Sequence, residues 1–131
     1  MDITPGLVGE IETTFAPPDT ADALGNAGFH VLSTPRLVAL LEAAAISAVA
    51  PALPAGAGTV GTGLDVRHLA ATPVGMRVRA RATVRQVDGR RFVYAVEAYD
   101  EVEKVAEGTH ERVQIDPARF LAKVTAKAGR S

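Results

Sequence analysis

From Met76 to Val87 the chain alternates almost without a break. Met76, Val78, Ala80, Ala82 and Val84 fall on one face, and Arg77, Arg79, Arg81, Thr83 and Arg85 on the other. A period of two with one apolar and one charged face predicts a half-buried antiparallel strand. Asp88-Gly89 predicts a hairpin turn, Arg91 to Tyr99 the returning strand, and Val105 to Ile115 the last long strand. Upstream, Thr59 to Ala71 reads as extended, closed by the turn Thr72-Pro-Val-Gly75. Leu7 to Phe15 reads as a first strand of imperfect alternation, broken by Ala16-Pro-Pro-Asp-Thr20. Residues 21–30 are small, polar and glycine-containing, and suit a short helix or a loop. Asp116 caps a short C-terminal helix carrying Phe120, Leu121 and Val124, with a frayed tail from Ala126 to Ser131.

The pattern changes between Thr34 and Ala50. Thr34 suits an N-cap and Pro35 the first helical position, where its missing N–H costs nothing. The helix this starts runs to about Ala50, where Pro51 ends it, and it is apolar nearly all round. Such a helix is expected to be buried. Glu42 is the only acid in it. A carboxylate on a buried helix is costly unless a partner satisfies it, so it is kept for a polar network or for chemistry. The order of elements is strand, helix, then four consecutive antiparallel strands. That is an α+β layout in which one long central helix is wrapped by an antiparallel sheet of about five strands. The sheet keeps an open edge, which predicts pairing with a second copy of the chain, a homodimer.

Composition narrows the function classes. At 131 residues the chain is the size of one domain, with boundaries at 1 and 131. Aromatic residues are only 5% of it, so the core must be Ala, Val and Leu, with elements in close approach. A formal net charge of −1 argues against a general nucleic-acid partner. There is no cysteine, which removes disulfides, thiol catalysis and thiolate metal sites. Three dispersed histidines give no metal-ligand spacing, so neither a metal nor another cofactor is expected. The glycine-rich stretch Gly56 to Gly63 lacks the Lys-Ser/Thr of a phosphate loop. The N-terminus shows no signal-peptide pattern, and the longest apolar run reads as too short and interrupted to span a membrane. The expected location is the cytoplasm, without a membrane partner. The arginine face of the 76–87 strand, with Arg90 and Arg91, reads most simply as solvated, or else as a surface for phosphates.

The stretch Gly61-Thr-Gly-Leu-Asp-Val-Arg-His68 supplies the second chemically useful side chain. Histidine titrates near neutral pH and can protonate a leaving group or orient water. With Glu42 it makes an acid–imidazole set, expected to meet in a substrate cleft. His110 and Glu111 read as network or packing residues, and His30 as a loop residue.

Three segments resemble one family, the fluoroacetyl-CoA thioesterase-like branch of hotdog proteins. The first is Gly61 to Gly75, with a glycine, a histidine seven residues on and then Ala-Ala-Thr-Pro-Val-Gly. The second is Val31 to Glu42, with Thr and Glu eight residues apart, and the third is Gly108-Thr-His-Glu-Arg112. The resemblance covers nearly the whole chain in order. It implies a hotdog fold and hydrolysis of small acyl-CoA thioesters by a dimer. It places the family's catalytic set on Thr34, Glu42 and His68, its glycine near the substrate carbonyl on Gly61, and its last-strand arginine on Arg112, toward the carboxylate network or CoA. The resemblance does not extend to the aromatic lid by which the founding enzyme selects fluoroacetate: Ala16 to Ser33 holds one aromatic, Phe29. The residues themselves leave a hotdog enoyl-CoA hydratase, or a non-catalytic acyl-CoA or small-ligand binding module, as alternatives. One spacing stands out. Eight helical residues separate Thr34 from Glu42 by roughly 12 Å, so the two cannot touch along one straight helix. A ligand spanning them, a later helix start or a second subunit would reconcile this.

Overall fold

The structure is a computed structural model that describes residues 2–130. The elements are β1 (Val8–Thr14), α1 (Thr34–Val49), β2 (Gly58–His68), β3 (Arg77–Asp88), β4 (Arg91–Tyr99), β5 (Lys104–Ile115) and α2 (Pro117–Ala128), with 3₁₀ turns at Pro17–Asp19 and Ala50–Ala52. The strands form one sheet in the order β1-β3-β4-β5-β2, every neighbouring pair antiparallel. The sheet curls around α1 in the hotdog arrangement.

The alternation of β3 does what its period requires. Val78, Ala80, Ala82 and Val84 are fully buried beneath the helix, and the arginines between them are exposed. β4 adds Phe92, Tyr94, Val96 and Ala98 to the same layer. Leu37, Leu41, Ala44, Ala45 and Val49 of α1 close the core from the other side. The alanines permit a close approach. A Cβ at Gly9 of β1 would overlap the Ala44 carbonyl and the Ala48 amide of α1, so only glycine fits where strand and helix touch.

Several expectations need correction. The hairpin turns on Gly89-Arg90, because Asp88 pairs with Arg91. Gly89 has φ +60° and Arg90 does not share it, as a turn with glycine at its first central position requires. The C-terminal helix holds to Ala128 rather than fraying from Ala126, with Asp116 capping it as expected. Ser131 lies outside the described residues. Residues 21–30 form turns, pinned by a bridge between Thr20 and Leu32. The apolar run is long enough to cross a bilayer: Thr34–Ala52 has 19 residues and a mean hydropathy of 1.4. Leu37, Leu40, Leu41, Ala44, Ala45 and Ala48 in it are packed beneath the sheet, which is what a core helix does with the same composition. Finally, α1 is not buried all round. Ile46 is 46% exposed, and Ala39 and Ala50 lie open on the same side. The edge strand β2 is open too, exposed from Gly61 through Asp65.

Candidate active site

Glu42 sits on the flank of α1 that faces β2 and β5. Its Oε2 accepts a hydrogen bond from Nη1 of Arg112 at 3.2 Å. The arginine is almost wholly buried, whereas the Glu42 side chain is 36% exposed. Arg112 is fixed from three further sides. Its Nε donates to Thr59 Oγ1 at 2.9 Å, its Nη2 donates to the Thr59 carbonyl at 3.0 Å, and Nη1 lies 3.2 Å from His110 Nε2. His110 Nδ1 is 2.8 Å from the Gly63 carbonyl. A carbonyl can only accept, so Nδ1 carries the proton and Nε2 accepts from the guanidinium. His110 is therefore neutral. Burial, first, holds its pKa below the usual 6.5, and the Arg112 charge adds to that, against the Gly63 hydrogen bond and Glu42.

Gly61 lies over this cluster. A Cβ there would fall 2.9 Å from Glu42 Oε2 and 3.3 Å from Arg112 Nη1. The position is also one end of an irregularity in the β2–β5 register between Gly61 and Gly63. Glycine thus serves a bulge and a close approach at once. Beneath lies Tyr94, stacked on His110 with ring centroids 6.0 Å apart. Its buried hydroxyl makes no hydrogen bond among the described residues. Burial pushes its pKa up to about 12, against the pull of Arg112, so it stays a phenol.

A second cluster forms where α1 begins. Thr34 Oγ1 lies 2.8 Å from His68 Nδ1, at the end of β2. The helix cap is Ser33, whose side chain accepts from the Arg36 N–H, not Thr34 as its sequence position suggests. Thr34 and Pro35 take the first two helical positions, and the threonine hydroxyl is released from capping to meet the imidazole. Burial lowers the His68 pKa, partly offset by the Ala70 carbonyl, so the ring is neutral near pH 7. Its Nε2 is buried and makes no hydrogen bond among the described residues. Ser33→Ala should therefore destabilise the fold by about 1 kcal/mol, while Thr34→Ala should leave stability nearly unchanged. Thermal or denaturant unfolding of the two variants tests this, and equal losses would return the cap to Thr34.

Glu42 and His68 do not meet within the chain. Glu42 belongs with Arg112, His110 and Gly61, and His68 belongs with Thr34. One unbroken helix carries both Thr34 and Glu42, so a later helix start does not reconcile their spacing. Sequence reasoning placed Thr34, Glu42, His68, Gly61 and Arg112 among the candidates and read His110 as a network or packing residue, and the structure makes it a network residue; Thr59 and Tyr94 were passed over. The signal for His110 was its spacing: two residues before Arg112 on a strand, it projects from the same face.

Both histidines have depressed pKa values, and this gives a stability prediction. The unfolded chain binds protons at about 6.5 while the folded chain resists them. The penalty is absent above that pH and grows as pH falls through and below it. Melting temperature should hold steady from pH 8 to about 7 and drop below about 6.5. His110→Gln should flatten part of that drop, and an unchanged profile would dismiss His110 as a contributor.

The chain is similar to known proteins over most of its length. Residues 16–118 match the sequence model of the fluoroacetyl-CoA-specific thioesterase family. A fluoroacetyl-CoA thioesterase from Streptantibioticus cattleyicolor is 44% identical over 98 residues, which cover 75% of this chain and 70% of the relative. The fold superposes on a solved structure of the fluoroacetyl-CoA thioesterase FlK with a TM-score of 0.91, at 37% identity, over 97% of this chain and 98% of that one. A Thermus thermophilus member of the thioesterase superfamily superposes with a TM-score of 0.89, at 30% identity, over 98% of this chain and 95% of that one.

Proposed function

The chain belongs to the fluoroacetyl-CoA-specific thioesterase family of acyl-CoA thioester hydrolases, and we propose that it cleaves a short acyl-CoA at a site shared between two copies of itself. The observation that carries the shared site is the separation of the two clusters. Thr34 and His68 lie at one end of β2, and Gly61, Glu42 and Arg112 toward the other. The β2 edge is 11 residues long, has no partner strand on its outer side among the described residues and is exposed through its middle, where Leu64 is 46% exposed. Such an edge is a template for another strand. Antiparallel pairing of two β2 edges about their midpoint lays the His68 end of one chain beside the Gly61 end of the other. The Thr34–His68 pair then faces the Glu42–Arg112 cluster across the subunit boundary, twice per dimer.

The chemistry follows from the states of these groups. Arg112 holds the Glu42 carboxylate in one place while leaving part of it open, so Glu42 supplies the electron pair at the thioester carbonyl, directly or through a water it deprotonates. The Gly61 backbone approaches without a Cβ and adds polar groups near the developing oxyanion. The Thr34 hydroxyl hydrogen-bonds to Nδ1 of neutral His68, which leaves the ring N–H at Nε2 to hydrogen-bond the leaving sulfur, and the proton that Glu42 takes from water ends on the departing thiolate. Water and thioester become acid and free thiol. The products need no redox partner, metal or other cofactor. The protein would act in the cytoplasm, and its net charge of −1 gives it no general attraction to nucleic acid.

Two measurements test the reading. Thiol release from acyl-CoAs running from acetyl and fluoroacetyl to palmitoyl should be rapid on short chains, and silence across the series would end the thioesterase reading. Mixing inactive Thr34→Ala and Glu42→Gln chains should restore activity. Each mixed dimer would carry one site with both residues intact. No recovery, with subunit exchange verified, would place the whole site in one chain.

A further inference from the structure

A trough of three adjoining hollows begins beside the Glu42–Arg112 cluster without being lined by either residue. It starts in a hollow of about 520 Å³ that includes Ile46, one turn along α1 from Glu42, and Thr59, the residue that clamps Arg112. Through Ala55–Ala57 this hollow adjoins a second of about 330 Å³, bounded by Arg90 and Gln114. Through the same Arg90 and Gln114 the second adjoins a third of about 260 Å³ against α2, where Arg119 and Lys123 stand. The path follows β5 from Arg112 for about 10 Å, then α2 for about as far again.

The far end carries three cations against one acid, Asp116, and is net positive. Arg119 and Lys123 are four apart on one face of α2, a spacing at which like charges repel. Arg90 faces them from the β3–β4 turn. Among the described residues none of the three forms an ion pair, whereas Arg36, Arg77, Arg81 and Arg91 each reach a carboxylate. The acid beside them, Asp116, uses Oδ1 to cap the Ala118 and Arg119 amides. The remaining arginines of the β3 face point away on the outer surface. Three converging cations at the end of a trough that begins beside a reacting carboxylate fit a long substrate with an anionic tail.

We infer that Arg90, Arg119 and Lys123 bind the phosphate groups at the nucleotide end of the acyl-CoA, with the trough holding its pantetheine arm. This rests on the thioesterase reading and adds the recognition of the carrier to it. The double variant Arg119→Glu/Lys123→Glu should raise the KM for an acyl-CoA by about tenfold or more. The preference for acyl-CoA over the acyl-pantetheine thioester, which lacks the nucleotide, should fall by the same factor. The salt dependence of kcat/KM should flatten with it. Arg79→Glu, an equal charge change per site on the outer sheet face, serves as the control. Calorimetric titration with CoA itself reads the site without turnover. Loss of CoA binding in the double variant, with its circular dichroism and melting point kept, supports the phosphate site even if wild type hydrolyses nothing, and in that case only the thioesterase reading falls. Hydrolysis in wild type with CoA binding and carrier preference unchanged in the double variant, or an equal loss in Arg79→Glu, overturns the phosphate site.

Discussion

Glu42→Gln should lower kcat on a short acyl-CoA by about 10²–10⁴-fold with little change in melting temperature. The two effects separate because of what the amide keeps. Its carbonyl oxygen still accepts from Arg112 Nη1, so the helix-to-sheet tie survives in outline. The lost negative charge weakens that tie and costs the buried Arg112 its counter-charge, but the amide keeps the guanidinium hydrogen-bonded and Glu42 was already partly open to solvent, so the loss stays well below that of removing the arginine. The amide can neither attack a carbonyl nor take a proton from water, so the chemical step loses its electron pair. If the carboxylate only tethered Arg112, Glu42→Gln would hydrolyse within about twofold of wild type, well below any catalytic contribution of this kind. Rates of thiol release at saturating substrate, with a melting curve for each protein, decide between the two.

Arg112→Met should be costly in both respects. Unfolding free energy should fall by about 3 kcal/mol, measured by urea denaturation of wild type and variant side by side. The value lies at the low end for breaking a buried pair, because Glu42 can turn toward water once released. The rest comes from inside the cluster. The Thr59 carbonyl and His110 Nε2 lose their donor and remain beneath the helix. Activity should fall with stability, since Glu42, His110 and the Gly61 segment share this one guanidinium. A methionine variant as stable as wild type would mean that the pair is replaceable by packing, as some buried ion pairs are, and would leave Arg112 only a role in substrate contact.

The legible parts of the fold were those governed by local periodicity. The 2-residue period of β3 and the apolar run of α1 carry their own geometry, so strand, helix and buried face follow from residues close in the chain. The helix cap was one residue off because Ser33 and Thr34 have the same capping chemistry, and only the path of the chain into α1 selects between them. The exposed flank of α1 escaped for a related reason. Ala39, Ile46 and Ala50 are apolar, and an apolar residue on the outer side looks in sequence like one on the inner. Homodimer formation remains a proposal that would give that surface and the β2 edge an occupant.

For the site, the sequence by itself determined which chemistry was available. One acid in an apolar helix and one histidine ending a glycine-rich strand point to carboxylate and imidazole work, and the lack of cysteine removes thiol chemistry, whatever the fold. Only the tertiary structure decided who meets whom. Glu42 and Arg112 are 70 residues apart in the chain and are joined because the curl of the sheet lets the Arg112 side chain reach from β5 to the flank of α1. Thr34 and His68 are joined because β2 ends where α1 begins. These contacts depend on strand order and register, which arise from the burial of many side chains together and are not encoded at any single position.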